Sequence, residues 1–267
     1  MQGGDTRFED LRLPPRADAG ITQDEEWCEV TVDGERRRIR FHDYAEIYEI
    51  PGLYEALFYD ALQCCSPRTV RSLLETEFER ADFDPTELVA IDLGAGNGMV
   101  GEELLDLGAR TIVGVDIVDA AAEAVARDRP DVYDEYLIAD LTQLSSDQHE
   151  RLADRSFNCL TSVAALGFGD IPPQAFTAAY GLLEPGGWIG LTIKEDFLAT
   201  EDPTGFQILI RRMLEDGSLD LRARRRYRHR LSSLGEPLYY VAMIATKAAA
   251  RRPPTLAGAA TGAGVGA

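Results

Sequence analysis

The sequence predicts an α/β fold: a parallel sheet with helices on both faces and a C-terminal antiparallel β-hairpin, preceded by an N-terminal hairpin and helical cap. Three observations carry this reading. From Leu88 onward, near-continuous apolar strands alternate with helical runs, the pattern of right-handed crossovers and a sheet covered on both sides. The first of these strands leads into a glycine-rich bend, VAIDLGAGNGMVG. The last two strand-like runs, 219–231 and 237–247, are joined by SSLGEP, too short for a crossover helix, and so pair antiparallel.

Taken in order, residues 1–20 mix Gly, Pro and charge without a period and read as a disordered tail. Trp27 to Phe41 reads as a hairpin, because Asp33-Gly34 separates two alternating runs. The aromatic-studded HDYAEIYEIPGLYEALFYDALQCCSP is expected to be helical on both sides of Pro51-Gly52, and a further helix to span about 67–80. Together residues 21–86 form the expected cap. Residues 87–248 form the sheet domain, with strands at 88–93, 111–116, 135–140, 157–163 and 187–194. Its helices fall at about 99–107, 119–128, 146–153, 173–183 and 205–215. Residues 249–267, rich in Pro, Gly and Ala, read as a second disordered tail.

At 267 residues the chain is long enough for one sizeable core with a cap. Its net charge of −19 opposes non-specific binding to nucleic-acid phosphates or anionic lipid, so neither nucleic acid nor membrane is an expected partner. Only two basic residues, Lys194 and Lys247, are lysines, a composition that suits a GC-rich genome or a salty cytoplasm. The four cysteines show no CxxC spacing, so neither zinc nor a disulfide framework is indicated, and the expected address is a reducing cytoplasm. No GxSxG elbow, HExxH or GxxxxGK[ST] loop is present.

The chemistry gathers at the strand ends. A buried strand ends at Leu93 and a helix begins near Met99, with Gly94, Gly96 and Gly98 in the bend. Glycines there let backbone approach a ligand, and the helix N-terminus behind them offers free N–H groups to an anion. The second strand closes at Asp116, placed to accept ribose hydroxyls, and the third reaches Asp140-Leu141, which could flank an adenine amine and ring. In these residues the chain resembles the class I S-adenosylmethionine-dependent methyltransferases, over about 88–247. The resemblance implies a Rossmann-like fold, S-adenosyl-L-methionine as cofactor and transfer of its methyl group. It assigns the cofactor to Asp92, Gly94, Ala95, Gly96, Asn97, Gly98, Asp116, Ile117, Asp140 and Leu141, with Ser162 added from the fourth strand. The chain departs from the family at Asn158, where Asp often opens that strand.

A dinucleotide-dependent oxidoreductase is the competing reading, since Gly96 to Gly101 satisfies GxGxxG. Register opposes it: counted from Gly94, the third glycine position is Met99. A non-catalytic S-adenosylmethionine-binding protein, or a plain tight turn, accounts for the same residues with less chemistry.

Substrate groups are expected beyond the carboxyl ends of the fourth and fifth strands. Phe168 could wall that space, and Lys194 could pair with Glu195 or Asp196, bind an anionic acceptor or snorkel to solvent. In the cap, Tyr44 is a substrate candidate. His42 is the general-base candidate, its ordinary pKa lying near working pH; the alternative is an exposed histidine ending a strand. In LRARRRYRHRL, alternation puts Arg222, Arg224, Arg226, Arg228 and Arg230 on one face, which reads as a solvated edge rather than an RNA surface. The expected acceptor is therefore a small molecule, methylated by in-line displacement.

Overall fold

The chain opens on a two-stranded ribbon, β1 (Trp27–Val32) and β2 (Glu35–Arg40), paired antiparallel from Trp27 opposite Arg40 to Val32 opposite Glu35. Its two-residue turn has φ 53° at Asp33 and 82° at Gly34, the positive values that match the twist of a tight hairpin. The computed structural model describes residues 10–15, 20–167, 170–198 and 204–248. Of the first expected tail, 10–15 lie against this ribbon: Arg12 exchanges backbone hydrogen bonds of 2.8 and 2.9 Å with Glu29, and Leu11 and Leu13 pack on the cap core. The rest of that tail except Gly20, and 249–267, lie outside the described residues.

Two short helical pieces follow, α1 (Tyr44–Glu49) and, after Pro51-Gly52, a π-helical stretch Glu55–Ala61. The wider π turn buries three consecutive residues, Ala56, Leu57 and Phe58, where an α-helix would turn one away. With Cys28, Val30, Ile39, Phe41, Ile47 and Leu53 they form a cap core separate from the sheet. The long helix α2 (Ser66–Ala81) was expected with the cap, yet it belongs to the sheet: Val70, Leu73, Leu74 and Phe78 pack with Trp188 and Ile244.

The main sheet contains β3 (Val89–Leu93), β4 (Thr111–Asp116), β5 (Glu135–Ile138), β6 (Phe157–Leu166), β7 (Leu183–Lys194), β8 (Leu219–Leu231) and β9 (Pro237–Lys247). Their order is β5-β4-β3-β6-β7-β9-β8, with the first five parallel and β9 antiparallel to both neighbours. The connecting helices are α3 (Met99–Leu107), α4 (Asp119–Asp128), α5 (Ser146–Ala153), α6 (Pro173–Leu182) and α7 (Phe206–Glu215). One face buries Leu152, Phe176, Phe206 and Ile210 from α5, α6 and α7; the other receives α2 and α3. The strand-end positions follow the sequence closely, with β5 stopping two residues early and β6 and β7 running longer. Asn158, the departure from the family pattern, sits at the opposite edge of the sheet from the strand ends. Its side chain accepts from Val89 N and donates to Glu87 O, both at 2.8 Å. Among the described residues no helix is long and apolar enough to cross a membrane.

β8 corrects one expectation. Register shifts between Leu221 and Ala223 and between Arg228 and Arg230 interrupt its alternation. Arg222, Arg224, Arg226 and Arg228 stay exposed, as expected, but Arg230 is 3% exposed and His229 5%. The Arg230 guanidinium donates to the buried Glu26 carboxylate and, at 2.8 Å, to Leu231 O, while Glu26 also accepts from Ser233 N. Removing one member of such a pair strands the other charge in a low-dielectric site. Glu26→Gln is expected to cost about 3–5 kcal/mol in urea unfolding. Glu26→Gln with Arg230→Met is expected to recover much of that loss.

Candidate active site

A cavity of about 390 Å³ opens at the carboxyl ends of the parallel strands, roofed by the cap. Its floor is the bend between β3 and α3. Gly94 (φ 75°) and Gly96 (φ 53°) hold backbone conformations that favour glycine, and the space confirms the need. A Cβ at Gly94 would lie 2.6 Å from Ile171 and 2.7 Å from Ala165; one at Gly96 would lie 2.5 Å from the Tyr48 hydroxyl. Behind them α3 starts at Gly98 with no side chain capping its first N–H groups, which leaves a local surplus of donors.

Asp116 faces this bend from the end of β4. Its Oδ2 accepts from Gly96 N at 2.8 Å, and its Oδ1 from Ile117 N and Val118 N at 2.8 and 3.0 Å. Burial raises its pKa, against the pull of those three N–H groups. Asp140 stands in the opposite condition. The Thr142 hydroxyl and N–H and the Gln143 amide donate to it, lowering its pKa. Asp116, Ile117, Asp140 and Leu141 all line the cavity, as do Gly94, Ala95, Gly96 and Asn97. Val118, Ala139 and Thr142 join them as immediate neighbours that the motif reading did not name.

The cap is tied to the bend by a polar cluster. Glu55 Oε1 accepts from Asn97 Nδ2 at 2.8 Å and Arg129 Nη1 at 2.7 Å, and Arg129 also donates to Asn97 O at 3.1 Å and Glu102 at 2.6 Å. The other carboxylate oxygen of Glu55 is buried without a partner. The uncapped helix end beside Asn97 offers N–H groups to a carboxylate, such as the one an amino-acid zwitterion carries.

Three residues expected at the cofactor lie outside the cavity wall. Asp92 is fully buried, accepting from Thr161 Oγ1 at 2.7 Å and Tyr133 Oη at 2.8 Å, and burial raises its pKa to about 6. Ser162 donates to Leu93 O at 3.0 Å, pinning β6 to β3, and Gly98 serves as the N-cap of α3. On the acceptor side, Lys194 is also outside the wall, paired with Asp196 at 2.9 Å; Phe168 lies outside the described residues.

Tyr44 and His42 do line the cavity. His42 Nδ1 lies 3.2 Å from Asp170 Oδ2, joining a cap residue to the loop after β6. Tyr44, Tyr48 and Tyr54 form a run of rings at 6.1 and 5.3 Å, their hydroxyls kept protonated by burial. Gln23, Cys64, His229, Arg230 and Tyr240 also line it. Sequence reasoning missed these, because a bulge in β8 and a distant N-terminal turn bring them in.

Residues 91–191 match the family model of a methyltransferase domain. The fold and site thus define a methyltransferase built on a Rossmann-like sheet. The matched segment is the one whose residues resemble the class I S-adenosylmethionine-dependent methyltransferases, with S-adenosyl-L-methionine as the cofactor that resemblance implies. No curated protein matches the sequence. Among solved structures, the magnesium protoporphyrin IX methyltransferase of Synechocystis PCC 6803 is 16% identical, covering 68% of this chain and 79% of that one, with a TM-score of 0.46. An S-adenosylmethionine-dependent methyltransferase from Mesorhizobium loti is 15% identical over 67% of this chain and 100% of its own, TM-score 0.43. A candidate RNA methyltransferase from Pyrococcus horikoshii is 16% identical over 68% and 84%, TM-score 0.44. Likeness at this level identifies neither the acceptor nor the role of any residue.

Two expectations follow from the site. Asp116→Ala removes the acceptor facing the bend and is expected to weaken S-adenosylhomocysteine binding about tenfold or more by calorimetry. Asp92 has a folded pKa above its ordinary 3.8, so its ionisation opposes folding: the penalty is absent below about 4, grows as pH rises and is complete above about 6. Asp92→Asn is therefore expected to gain stability relative to the parent across that window, by a few kcal/mol, in denaturant titrations at either end.

Proposed function

We propose that the protein methylates a small-molecule acceptor, with His42 as general base and Asp170 as its positioning partner. The observation that carries this reading is the continuous cavity, which has the glycine bend on one wall and the His42–Asp170 pair on another. S-adenosylmethionine, when bound, supplies a methyl group already made electrophilic by the sulfonium. The chain's own residues then have to hold, align and dry the site.

In this reading Gly94 to Asn97 and the start of α3 would hold the amino-acid end of the cofactor, Asp116 the ribose, and Asp140 with Leu141 the adenine. Asp170, 3.2 Å from His42 Nδ1, would fix the ring, and His42 would take the acceptor's proton. The tyrosines exclude water and offer flat apolar walls, which favours an enclosed small acceptor over a polymer. The net charge of −19 and the exposed position of the β8 arginines support the same choice. The four free thiols fit a reducing cytoplasm.

His42→Ala is expected to lower kcat by about 100- to 10,000-fold for an acceptor that holds its proton, with S-adenosylhomocysteine affinity unchanged. Asp170→Asn is expected to lower kcat less than His42→Ala does. The assay is single-turnover methylation followed by mass spectrometry of products from a metabolite extract. Full activity in His42→Ala across the pH range would remove the base assignment.

A further inference from the structure

The cavity wall formed by Gln23, His229 and Tyr240 has no task in the methyl-transfer reading, and its chemistry is specific. Gln23 sits on a 3₁₀ turn, Gln23–Glu25, held by Thr22 donating to Glu25 through its N–H at 3.1 Å and its hydroxyl at 2.8 Å. The amide nitrogen of Gln23 donates to the Tyr240 hydroxyl at 2.9 Å, which orients the side chain. Its Oε1 is buried with no hydrogen-bond partner among the described residues. A buried carbonyl oxygen left unpaired marks a place where a donor is missing.

His229 stands beside it, its ring against Tyr240 with centroids 4.1 Å apart. Ser66 Oγ holds Nδ1 at 2.6 Å, which leaves Nε2 as the nitrogen for a ligand. Burial lowers the His229 pKa well below its ordinary value, so the ring is neutral at working pH. Arg230 is the nearby cation, but its guanidinium is engaged by Glu26 and Leu231 O. Asp116, Asp140 and Asp170 line other parts of the same cavity. Among the described residues, a carboxylate or phosphate on the acceptor would meet an Arg230 already engaged by Glu26 and Leu231 O, and three acids across the cavity.

Topology separates this wall from the cofactor's. Asp116 and Asp140 follow β4 and β5 at one edge of the sheet, whereas His229 and Tyr240 lie on β8 and β9 at the other. Between them stand Phe41, Tyr44, Tyr54 and Phe58, which favour a flat apolar body. We infer that Gln23, with His229 and Tyr240, forms an acceptor-recognition subsite for an uncharged hydroxyl or amino group on an aromatic acceptor, Gln23 Oε1 taking its hydrogen. This rests on the methyltransferase reading and adds the class of acceptor: a phenol-type ring with a second, uncharged donor.

The test uses the full chain, loaded with S-adenosylhomocysteine and titrated calorimetrically with phenol and with the isomeric dihydroxybenzenes, aminophenols and hydroxybenzoates. At least one dihydroxybenzene or aminophenol is expected to bind about tenfold or more tightly than phenol, and every hydroxybenzoate no more tightly than phenol. Gln23→Leu and Gln23→Met are expected to abolish that gain while retaining affinity for phenol and S-adenosylhomocysteine. The subsite is overturned if phenol and its donor-bearing derivatives bind alike or none binds. Preference for the carboxylates, or a gain that survives both Gln23 variants, overturns it too. Failure of the parent to bind S-adenosylhomocysteine, read before any phenol is added, would instead overturn the underlying cofactor assignment.

Discussion

The close approach of backbone, cap and loop at the bend after β3 is the constraint on which the rest of the molecule depends. Gly94 and Gly96 leave no room for a Cβ, because Ile171, Ala165 and the Tyr48 hydroxyl occupy that space. Tyr48 reaches the bend only because α1 is seated on α4, where its ring packs with Ala121 and Ala124. Arg127 reinforces that seat by donating to Tyr48 O at 3.1 Å. The same contact that shapes the cavity's floor therefore positions the cap, and the cap carries His42 and Tyr44 into the cavity.

Charge is handled differently on the two sides of that floor. Asp92, one strand-end residue before the bend, is kept out of the cavity and satisfied by two hydroxyls at the cost of a raised pKa. Asp116 is partly satisfied by backbone N–H groups, so its remaining lone pairs stay available to hydroxyl donors. One acid braces the sheet and the other faces the cavity, although each stands at the carboxyl end of a neighbouring parallel strand.

Much of this was legible in the sequence because it is local. Strand and helix periods, the glycine spacing and the acids at 116 and 140 are fixed by neighbours within a few residues. The parallel sheet with its antiparallel ending follows from them, as do many of the strand-end residues that line the cavity. The distinction between Asp92 and Asp116 was not legible, because it depends on Tyr133 and Thr161 arriving from other elements to enclose the first carboxylate. Lys194 was open to several readings, and of these the structure shows the pairing with Asp196, at 2.9 Å. The pairing of His42 with Asp170 joins residues far apart in the chain, so spacing carried no trace of it. The π-helical stretch was hidden as well, since its sequence reads as an ordinary amphipathic helix.

The interrupted alternation of β8 gives one strand two surfaces. Its first stretch keeps arginines in water at a sheet edge, where they discourage pairing with another chain. Its last stretch delivers His229 and Arg230 inward. Because side chains in a strand alternate with a period of two, adding or deleting a single residue between Tyr227 and Leu231 would exchange these surfaces, throwing the imidazole into solvent and driving a neighbouring arginine into the acceptor cavity. Point substitutions among the outer arginines leave this arrangement intact, so drift in composition is tolerated along a strand whose length is not free to change.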